Sequence, residues 1–162
     1  MREFVQTTVV PRPVDEVFEF FSVASNLNAL TPPWLSFEIL TPLPIVMEVG
    51  TVIDYQIRLK GVPMKWKSKI SVWEPGVRFV DEQIKGPYRS WTHTHMFEAC
   101  PEGTKMTDRV KYEIGIGPFE GLLDLIVRRD VSKIFRHRTE KLDDIFGPQD
   151  NPSSAKSIGI QV

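Results

Sequence analysis

The sequence contains a single cysteine, almost no excess charge and no long apolar run. Because only Cys100 is present among the 162 residues, an intrachain disulfide and a cysteine-rich zinc site are both excluded. The formal net charge of −1 gives no overall basic field that would attract nucleic acid. No stretch approaches the roughly 18 apolar residues of a membrane span, and the first residues lack the apolar core of a signal peptide. We therefore expect a cytoplasmic protein without a nucleic-acid partner or a membrane span.

Familiar catalytic motifs are also missing. The chain has no Gly-x-Ser-x-Gly element, no P-loop and no dinucleotide-binding fingerprint. The glycine-rich segment 115–121 precedes a helical pattern but follows the wrong kind of sheet for such a fingerprint. We therefore predict no cofactor. Without a nucleophile, any reaction would be proton transfer on a bound carbonyl compound.

Most of the chain alternates apolar and polar residues, which is typical of half-buried strands. The predicted strands are 3–10, 36–40, 51–60, 64–73, 78–84, 90–97 and 105–114. Short turns containing Gly61, Gly76, Gly86 and Gly103 join the later ones, as expected for an antiparallel meander with one wet face.

Helical spacing is confined to the two ends of this meander. A short helix should begin near Pro13 and end near 22–25, with a further turn at 26–30 before the prolines that follow. A long amphipathic helix is predicted at 122–146, with an apolar stripe that includes Val131, Leu142 and Ile145. Residues 1–147 should form a single domain, and the polar residues 148–162 should be a disordered tail. The fold class is thus α+β.

The stretch Ser90–Phe97 is the strongest pointer to function. Because strand side chains alternate between two faces, Trp91, His93, His95 and Phe97 share one face. That face carries the larger side chains and should be the inner one, which places two imidazoles among apolar neighbours. The same alternation puts Val72, with Ile70 before it, on the inner face of its strand.

Several polar residues share this predicted inner face, alongside aromatic ones. The predicted ligand-binding residues are Tyr55, Trp66, Phe79, Gln83, Trp91, His93, His95, Asp108, Tyr112 and Arg138. Asp81 also falls on the inner face, on the strand before the histidines. Buried polar groups are unfavourable unless they are hydrogen-bonded, so these groups should pair with one another or meet a ligand.

Three interpretations of the polar set remain open. The histidines and carboxylates could satisfy one another, could orient a ligand, or could perform acid–base catalysis. In the last case His93 or His95 is the base and Asp81 or Asp108 orients it. Two histidines two residues apart also suit a metal, but a third ligand must come from another strand, so we predict no metal site.

Arg138 is unusual because its helical angle lies near the middle of the apolar stripe. Its stem could pack there while the head reaches the edge of the domain. Alternatively, the guanidinium points into the cavity and pairs with Asp81 or Asp108, and we predict this arrangement.

The chain resembles the START-like, or SRPBCC, helix-grip superfamily, and in particular its bacterial polyketide cyclase/dehydrase-like members. The resemblance covers about residues 2–147. It rests on Pro-Arg-Pro-Val-Asp-Glu-Val-Phe-Glu-Phe-Phe at 11–21, Phe-Val-Asp-Glu-Gln at 79–83, Gly-Pro-Tyr-Arg-Ser-Trp-Thr-His-Thr-His-Met-Phe at 86–97, Gly-Thr-Lys-Met-Thr-Asp-Arg-Val-Lys-Tyr at 103–112, and the terminal helix.

This resemblance implies a curved antiparallel sheet of six to seven strands around the long C-terminal helix, with a short N-terminal helix pair. It also implies an apolar cavity between sheet and helix that holds a hydrophobic small molecule, such as an aromatic, polyketide-like, isoprenoid or lipid compound. The alternative is a cyclase or dehydratase that uses a His/Asp pair in that cavity. A third hypothesis is a protein-interaction module with a vestigial cavity. The oligomeric state is left open, with a homodimer among the alternatives.

Overall fold

The computed structural model describes residues 1–115 and 120–147. Its seven strands are β1 (Arg2–Val10), β2 (Glu38–Ile39), β3 (Val52–Leu59), β4 (Val62–Glu74), β5 (Arg78–Lys85), β6 (Ser90–Cys100) and β7 (Gly103–Glu113). The helices are α1 (Val14–Ser22), α2 (Leu27–Leu30) and α3 (Glu120–Phe146), with short 3₁₀ turns at Ala24–Asn26 and Pro33–Leu35. The α+β class, the strand meander and the long terminal helix are confirmed. The predicted tail at 148–162 lies outside the described residues.

All seven strands form one antiparallel sheet in the order β1-β7-β6-β5-β4-β3-β2. Strands β2 to β7 are neighbours in chain order, because short turns connect successive antiparallel strands. β1 then pairs with β7, so the first and last strands of the chain lie side by side. This arrangement puts β5, β6 and β7 next to one another near the middle of the sheet.

α1 begins after Pro13 and carries Asp15 and Glu16 in its first turn, where acids interact favourably with the helix dipole. Its Val17, Phe18 and Phe21 are buried, at the spacing expected for one helical face. Phe18 makes ring contacts with Trp73 at 5.2 Å and with Phe97 at 5.2 Å between centroids. The short helix therefore anchors one end of the sheet.

The predicted inner face of β7 is confirmed. Met106, Val110 and Tyr112 have no exposed surface, and Asp108 is 3% exposed. Val110 and Tyr112 pack in one core cluster with Val131 and Phe135 of α3. Since a register error of one residue would expose the whole set, this burial fixes the orientation of every neighbouring strand.

Core packing occurs at two separate places along α3. Near its start, Val131 and Phe135 pack against β7. Near its end, Leu142 and Phe146 pack with α1 and with Met106. Ile145, predicted on the apolar stripe, is instead 41% exposed, because Leu142 and Phe146 fill the core at the last turns.

Val72 was wrongly predicted to face inward. The register of β4 against β5 shifts between Ile70 and Val72, as it does at a β-bulge. Val72 then pairs with Val80, whereas Trp73 pairs with the buried Phe79 and packs against the core cluster around α1. The bulge places a tryptophan where simple alternation would place a valine.

Candidate functional site

A cavity of about 390 Å³ lies between the sheet and α3. Its walls are mostly apolar and come from α1, α2, β3 to β6 and α3. Seven of the ten predicted ligand-binding residues line it: Tyr55, Trp66, Phe79, Trp91, His93, His95 and Arg138. Asp81 also reaches its surface. The size and the apolar lining are those of a small-molecule site.

The polar wall of the cavity is built by three adjacent strands. In the sheet register Asp81 of β5 is opposite His93 of β6, and His95 is opposite Asp108 of β7. Paired residues in an antiparallel sheet share a face, so all four side chains point to the cavity side. The three successive strands thus bring two imidazoles between two carboxylates.

Each imidazole contacts both carboxylates. The Nε2 atom of His93 is 2.9 Å from Asp108 Oδ1, and its Nδ1 atom is 3.7 Å from Asp81 Oδ2. The Nε2 atom of His95 is 3.0 Å from Asp81 Oδ2, and its Nδ1 atom is 3.0 Å from Asp108 Oδ1. The histidines and carboxylates of three adjacent strands therefore pair with one another, which was one of the three interpretations left open by the sequence.

Arg138 reaches this cluster from α3. Its Nη2 atom is 3.5 Å from Asp108 Oδ1 and 3.3 Å from His95 Nδ1, and the residue is 7% exposed. The guanidinium carbon also lies 4.9 Å from the centre of the Phe21 ring, at cation–π distance. The predicted salt bridge to an inner-face carboxylate is confirmed, with Asp108 as the partner.

The two imidazoles lie next to each other in a short column of rings, tilted by 36°. The ring centres of His93 and His95 are 3.7 Å apart, and Phe79 lies on the other side of His95 at 4.1 Å. Phe135 contacts the His93 ring edge-to-face at 5.5 Å. These contacts restrict both histidines, so the directions of their nitrogen atoms are fixed by packing as well as by hydrogen bonds.

Burial and charge affect the two kinds of group differently. Burial, followed by the neighbouring His95, lowers the pKa of His93 and favours its neutral form. Burial also raises the pKa of Asp108, but the charge of Arg138 and the hydrogen bonds from His93 and His95 outweigh it and hold that pKa well below its usual range. For Asp81, burial is likewise outweighed by the hydrogen bond from His95, and its pKa is lowered. The cluster thus holds two ionised carboxylates.

Trp66 supplies an unused donor in the cavity wall. The residue is 6% exposed, and its indole Nε1 atom has no hydrogen-bond partner among the described residues. An unpaired buried donor is unfavourable unless a ligand or a water molecule accepts from it. Tyr55 stacks on the same indole at 5.9 Å, and burial raises the pKa of its phenol, which therefore stays protonated.

Three predicted ligand-binding residues do not line the cavity. Asp108 lies behind the histidines. The amide of Gln83 donates to the carbonyl oxygen of Tyr88 at 2.7 Å and thus closes the turn between β5 and β6. The hydroxyl of Tyr112 donates to Asp124 at 2.8 Å within the core of α3 and β7.

The sequence analysis did not predict part of the cavity wall, nor an ion pair between two of the residues that line it. Leu30, Leu35 and Phe37, from α2 and the segment after it, line the cavity opposite the sheet. Lys60 and Asp130, which also line it, form an ion pair of 3.4 Å between the β3–β4 turn and α3. Helical spacing from Val127 and Ile134 could have indicated Asp130, whereas nothing local in the sequence indicates the irregular segment.

Comparison with known families agrees with this geometry. A family model described as polyketide cyclase / dehydrase and lipid transport matches residues 10–137 of the chain. The chain belongs to this family. The match spans most of the sheet, the cavity and the histidine–aspartate cluster of this polyketide cyclase / dehydrase family member.

Solved structures share the fold of this family member at low sequence identity. Protein CV1439 from Chromobacterium violaceum is 14% identical with a TM-score of 0.71, over 91% of this chain and 99% of that one. TTHA0849 from Thermus thermophilus is 21% identical with a TM-score of 0.64, over 89% and 99%. Ginseng major latex-like protein 151 from Panax ginseng is 14% identical with a TM-score of 0.64, over 91% and 98%.

Two further findings concern curated proteins and membrane spans. No curated protein is similar enough in sequence to count as a match. Among the described residues, no helix of this polyketide cyclase / dehydrase family member is long and apolar enough to cross a membrane.

Proposed function

We propose that the protein binds one hydrophobic small molecule that carries an oxygen acceptor. Membership of a family described by polyketide cyclisation and lipid transport supports hydrophobic ligands in general. The observation that carries the finer proposal is Trp66, whose indole donor is buried in an apolar cavity wall without a partner among the described residues. A carbonyl or ether oxygen accepting from that donor would satisfy it and orient the ligand.

A second polar group in the cavity wall, Asp81, suits another polar atom of such a ligand. Asp81 lines the cavity and keeps a fifth of its side chain exposed, more than Asp108 or either histidine. Its carboxylate can accept from a ligand hydroxyl, while the aromatic walls cover the carbon skeleton. An aromatic or polyketide-like compound with both a carbonyl and a hydroxyl group matches this pattern better than a plain hydrocarbon.

The proposal is tested by filling the cavity. Ile134 lines it from α3, so Ile134→Trp should reduce its volume and weaken binding of N-phenyl-1-naphthylamine, an apolar fluorescent probe, by at least about tenfold, or about 1.4 kcal/mol. Ile145→Trp, on the exposed side of the last turn, is the matched control and should bind like the unmodified protein. Equal affinities for the two variants, or no binding by the unmodified protein, would contradict the proposal.

A second candidate function is proton transfer on the bound molecule, and one observation favours it. The Nε2–H group of His93 donates to Asp108 at 2.9 Å, which leaves Nδ1 on the side of Asp81 and the cavity. A neutral imidazole oriented by a buried carboxylate is the arrangement of a general base. If the protein converts a linear poly-β-ketone, His93→Gln should remove turnover while probe affinity stays unchanged.

A further inference from the structure

We propose that Asp81, His93 and His95 bind a divalent first-row transition-metal ion at the polar wall of the cavity. The ligand atoms are Asp81 Oδ2, His93 Nδ1 and His95 Nε2. One ligand atom from each of these three residues lies within 4.8 Å of the other two. This inference concerns a metal ion rather than the organic ligand. The site shares Asp81 with the proposed hydroxyl contact but does not depend on that contact.

The distances are close to those of a coordination sphere. The Asp81 oxygen is 3.0 Å from the His95 nitrogen and 3.7 Å from the His93 nitrogen. Ligand atoms at about 2.1 Å from one ion lie roughly 3.0 to 3.4 Å apart in octahedral or tetrahedral geometry. The two contacts of the Asp81 oxygen thus lie near the spacing of neighbouring ligands on one ion.

The sheet register explains why the three ligands converge. His93 and His95 are two residues apart on one strand and project from the same face. Asp81 is directly opposite His93 on β5, and its carboxylate reaches both rings. The third ligand, which the spacing of the histidines alone did not provide, thus comes from the neighbouring strand.

Asp108 is placed as the outer partner of both histidines. Its Oδ1 atom is 2.9 Å from His93 Nε2 and 3.0 Å from His95 Nδ1, the two nitrogens that face away from Asp81. Metal-bound histidines almost always donate their second N–H group to such a carboxylate, which fixes the tautomer and the ring. Arg138 in turn holds Asp108 at 3.5 Å.

The arrangement without an ion leaves one pair of atoms poorly matched. When His93 donates from Nε2 to Asp108, its Nδ1 lone pair faces the Asp81 carboxylate at 3.7 Å, beyond hydrogen-bond length. Both atoms are then acceptors. An ion between them turns this contact into two bonds. With the ion bound, Nε2 of His95 is a ligand and its Nδ1–H group donates to Asp108.

Charge and ligand type narrow the class of ion. When both imidazoles are neutral, as metal ligands must be, the two carboxylates and the single guanidinium of Arg138 leave one negative charge in the cluster, which favours a cation. Two imidazoles and one carboxylate suit Zn²⁺, Fe²⁺ or Co²⁺ better than Mg²⁺ or Ca²⁺, which prefer oxygen ligands. Because His93, His95 and Asp81 all line the cavity, the remaining coordination positions point towards its interior.

Metal titration tests the proposal directly. The full chain without an affinity tag, dialysed against EDTA, should bind one Co²⁺ with visible absorption typical of nitrogen and oxygen ligands. Zn²⁺ should compete for the same site and raise the unfolding temperature with concentration. Asp108→Asn should weaken Zn²⁺ binding by about 10- to 100-fold in calorimetry, and Asp81→Asn by more, since it removes a ligand.

His137, the third histidine of the chain, supplies the matched control. It lies on α3 near Trp34, and His137→Gln should bind Co²⁺ like the unmodified protein. Loss of binding in His137→Gln, unchanged binding in Asp81→Asn, or no one-to-one binding by the unmodified protein would overturn the proposal. Asp81→Asn is the mildest change of shape, and if it does not fold, His93→Gln is compared with His137→Gln instead. Probe binding by the EDTA-treated protein is measured in parallel, so a negative metal result leaves the proposed function standing.

Discussion

Asp108 is the group on which the polar cluster depends. It is 3% exposed, and its Oδ1 atom contacts His93, His95 and Arg138 at once. A buried carboxylate is tolerated only when charge and hydrogen bonds compensate its lost hydration. The arginine in the middle of an apolar helix stripe is explained by this requirement.

Removing that arginine should therefore destabilise the protein strongly. Arg138→Met keeps most of the apolar stem but removes the guanidinium from the rings of Phe21 and Phe135 and leaves Asp108 without its cation. We expect a loss of about 3 kcal/mol in the free energy of unfolding, measured with urea. Arg136→Met, an exposed position on the same helix, should change it by less than about 1 kcal/mol. Equal effects of the two variants would show that Asp108 does not need its partner.

The pKa shifts of the cluster predict that acid destabilises the fold. The pKa of His93 is below its ordinary 6.5 in the folded state, so the unfolded chain takes up a proton first and stability falls as pH drops below about 6.5. The lowered pKa of Asp108 adds a further loss as pH falls towards its ordinary 3.8. The titratable and charged groups facing these two are Asp81 on β5, His95 on β6 and Arg138 on α3.

Urea unfolding of the EDTA-treated protein between pH 8 and 5 measures this dependence. One proton taken up on unfolding corresponds to a slope of up to about 1.4 kcal/mol per pH unit. His93→Gln should reduce the slope between pH 7 and 5, since it removes the group whose pKa is lowered in the folded protein. A profile that stays flat in the unmodified protein would contradict the neutral, buried state of His93.

At the level of single elements, the β6–β7 turn is the most constrained. Gly103 has φ of +132°, in a region that other residues rarely adopt. A Cβ atom there would collide with the backbone carbonyl of Val10 and lie 2.7 Å from the amide nitrogen of Arg12. The turn must pass close to the end of β1, since β1 pairs with β7 along its whole length.

Gly103→Ala should thus lower the free energy of unfolding by at least about 1 to 3 kcal/mol, because the backbone must leave a strained conformation and move away from β1. Gly121→Ala, in α3 with no atom near the added methyl group, should be neutral or stabilising by up to about 1 kcal/mol. Thermal unfolding of both variants makes the comparison. A harmless Gly103→Ala would show that β1 is not held against this turn.

The strands also show where sequence patterns succeed and where they fail. Alternation alone correctly oriented β6 and β7, and it is sufficient to place His93, His95 and Asp108 on one wall. Alternation predicted the wrong face for Val72, because the β-bulge adds one residue to the strand and the order of apolar and polar residues does not reveal it. Gln83 lies on the inner face of β5, as alternation predicts. Its side-chain amide, however, donates to the carbonyl oxygen of Tyr88 in the turn, and periodicity cannot predict this contact.

At the level of the whole molecule, the cavity lies between two core clusters. One joins α1, Met106 and the end of α3, and the other joins β7 to the first half of α3. Family resemblance predicted a cavity between sheet and helix, but the unpaired indole of Trp66 and the convergence of three possible metal ligands depend on angles between strands. Such angles are set by tertiary packing, and no local sequence pattern predicts them.

This division of the core predicts where the domain can be shortened. Both clusters lie within residues 1–147, so a chain ending at Gly147 should keep the unfolding temperature of the full chain in calorimetry. A chain ending at Lys141 lacks Leu142 and Phe146, which are 2% and 7% exposed, and should lose more than about 4 kcal/mol. A large loss in the longer chain would show that residues 148–162 contribute to the fold.

The column of rings at the cavity wall should affect the NMR chemical shifts of His95. His95 is held between Phe79 at 4.1 Å and His93 at 3.7 Å, so the ring currents of both neighbours act on its carbon-bound protons from opposite sides. Those protons should resonate upfield of the corresponding protons of His137, which meets a single indole edge at 5.4 Å. With only three histidines in the chain, the imidazole region of a proton NMR spectrum becomes a direct view of the cavity wall. A molecule or ion that binds next to His95 should change the chemical shifts of these ring protons.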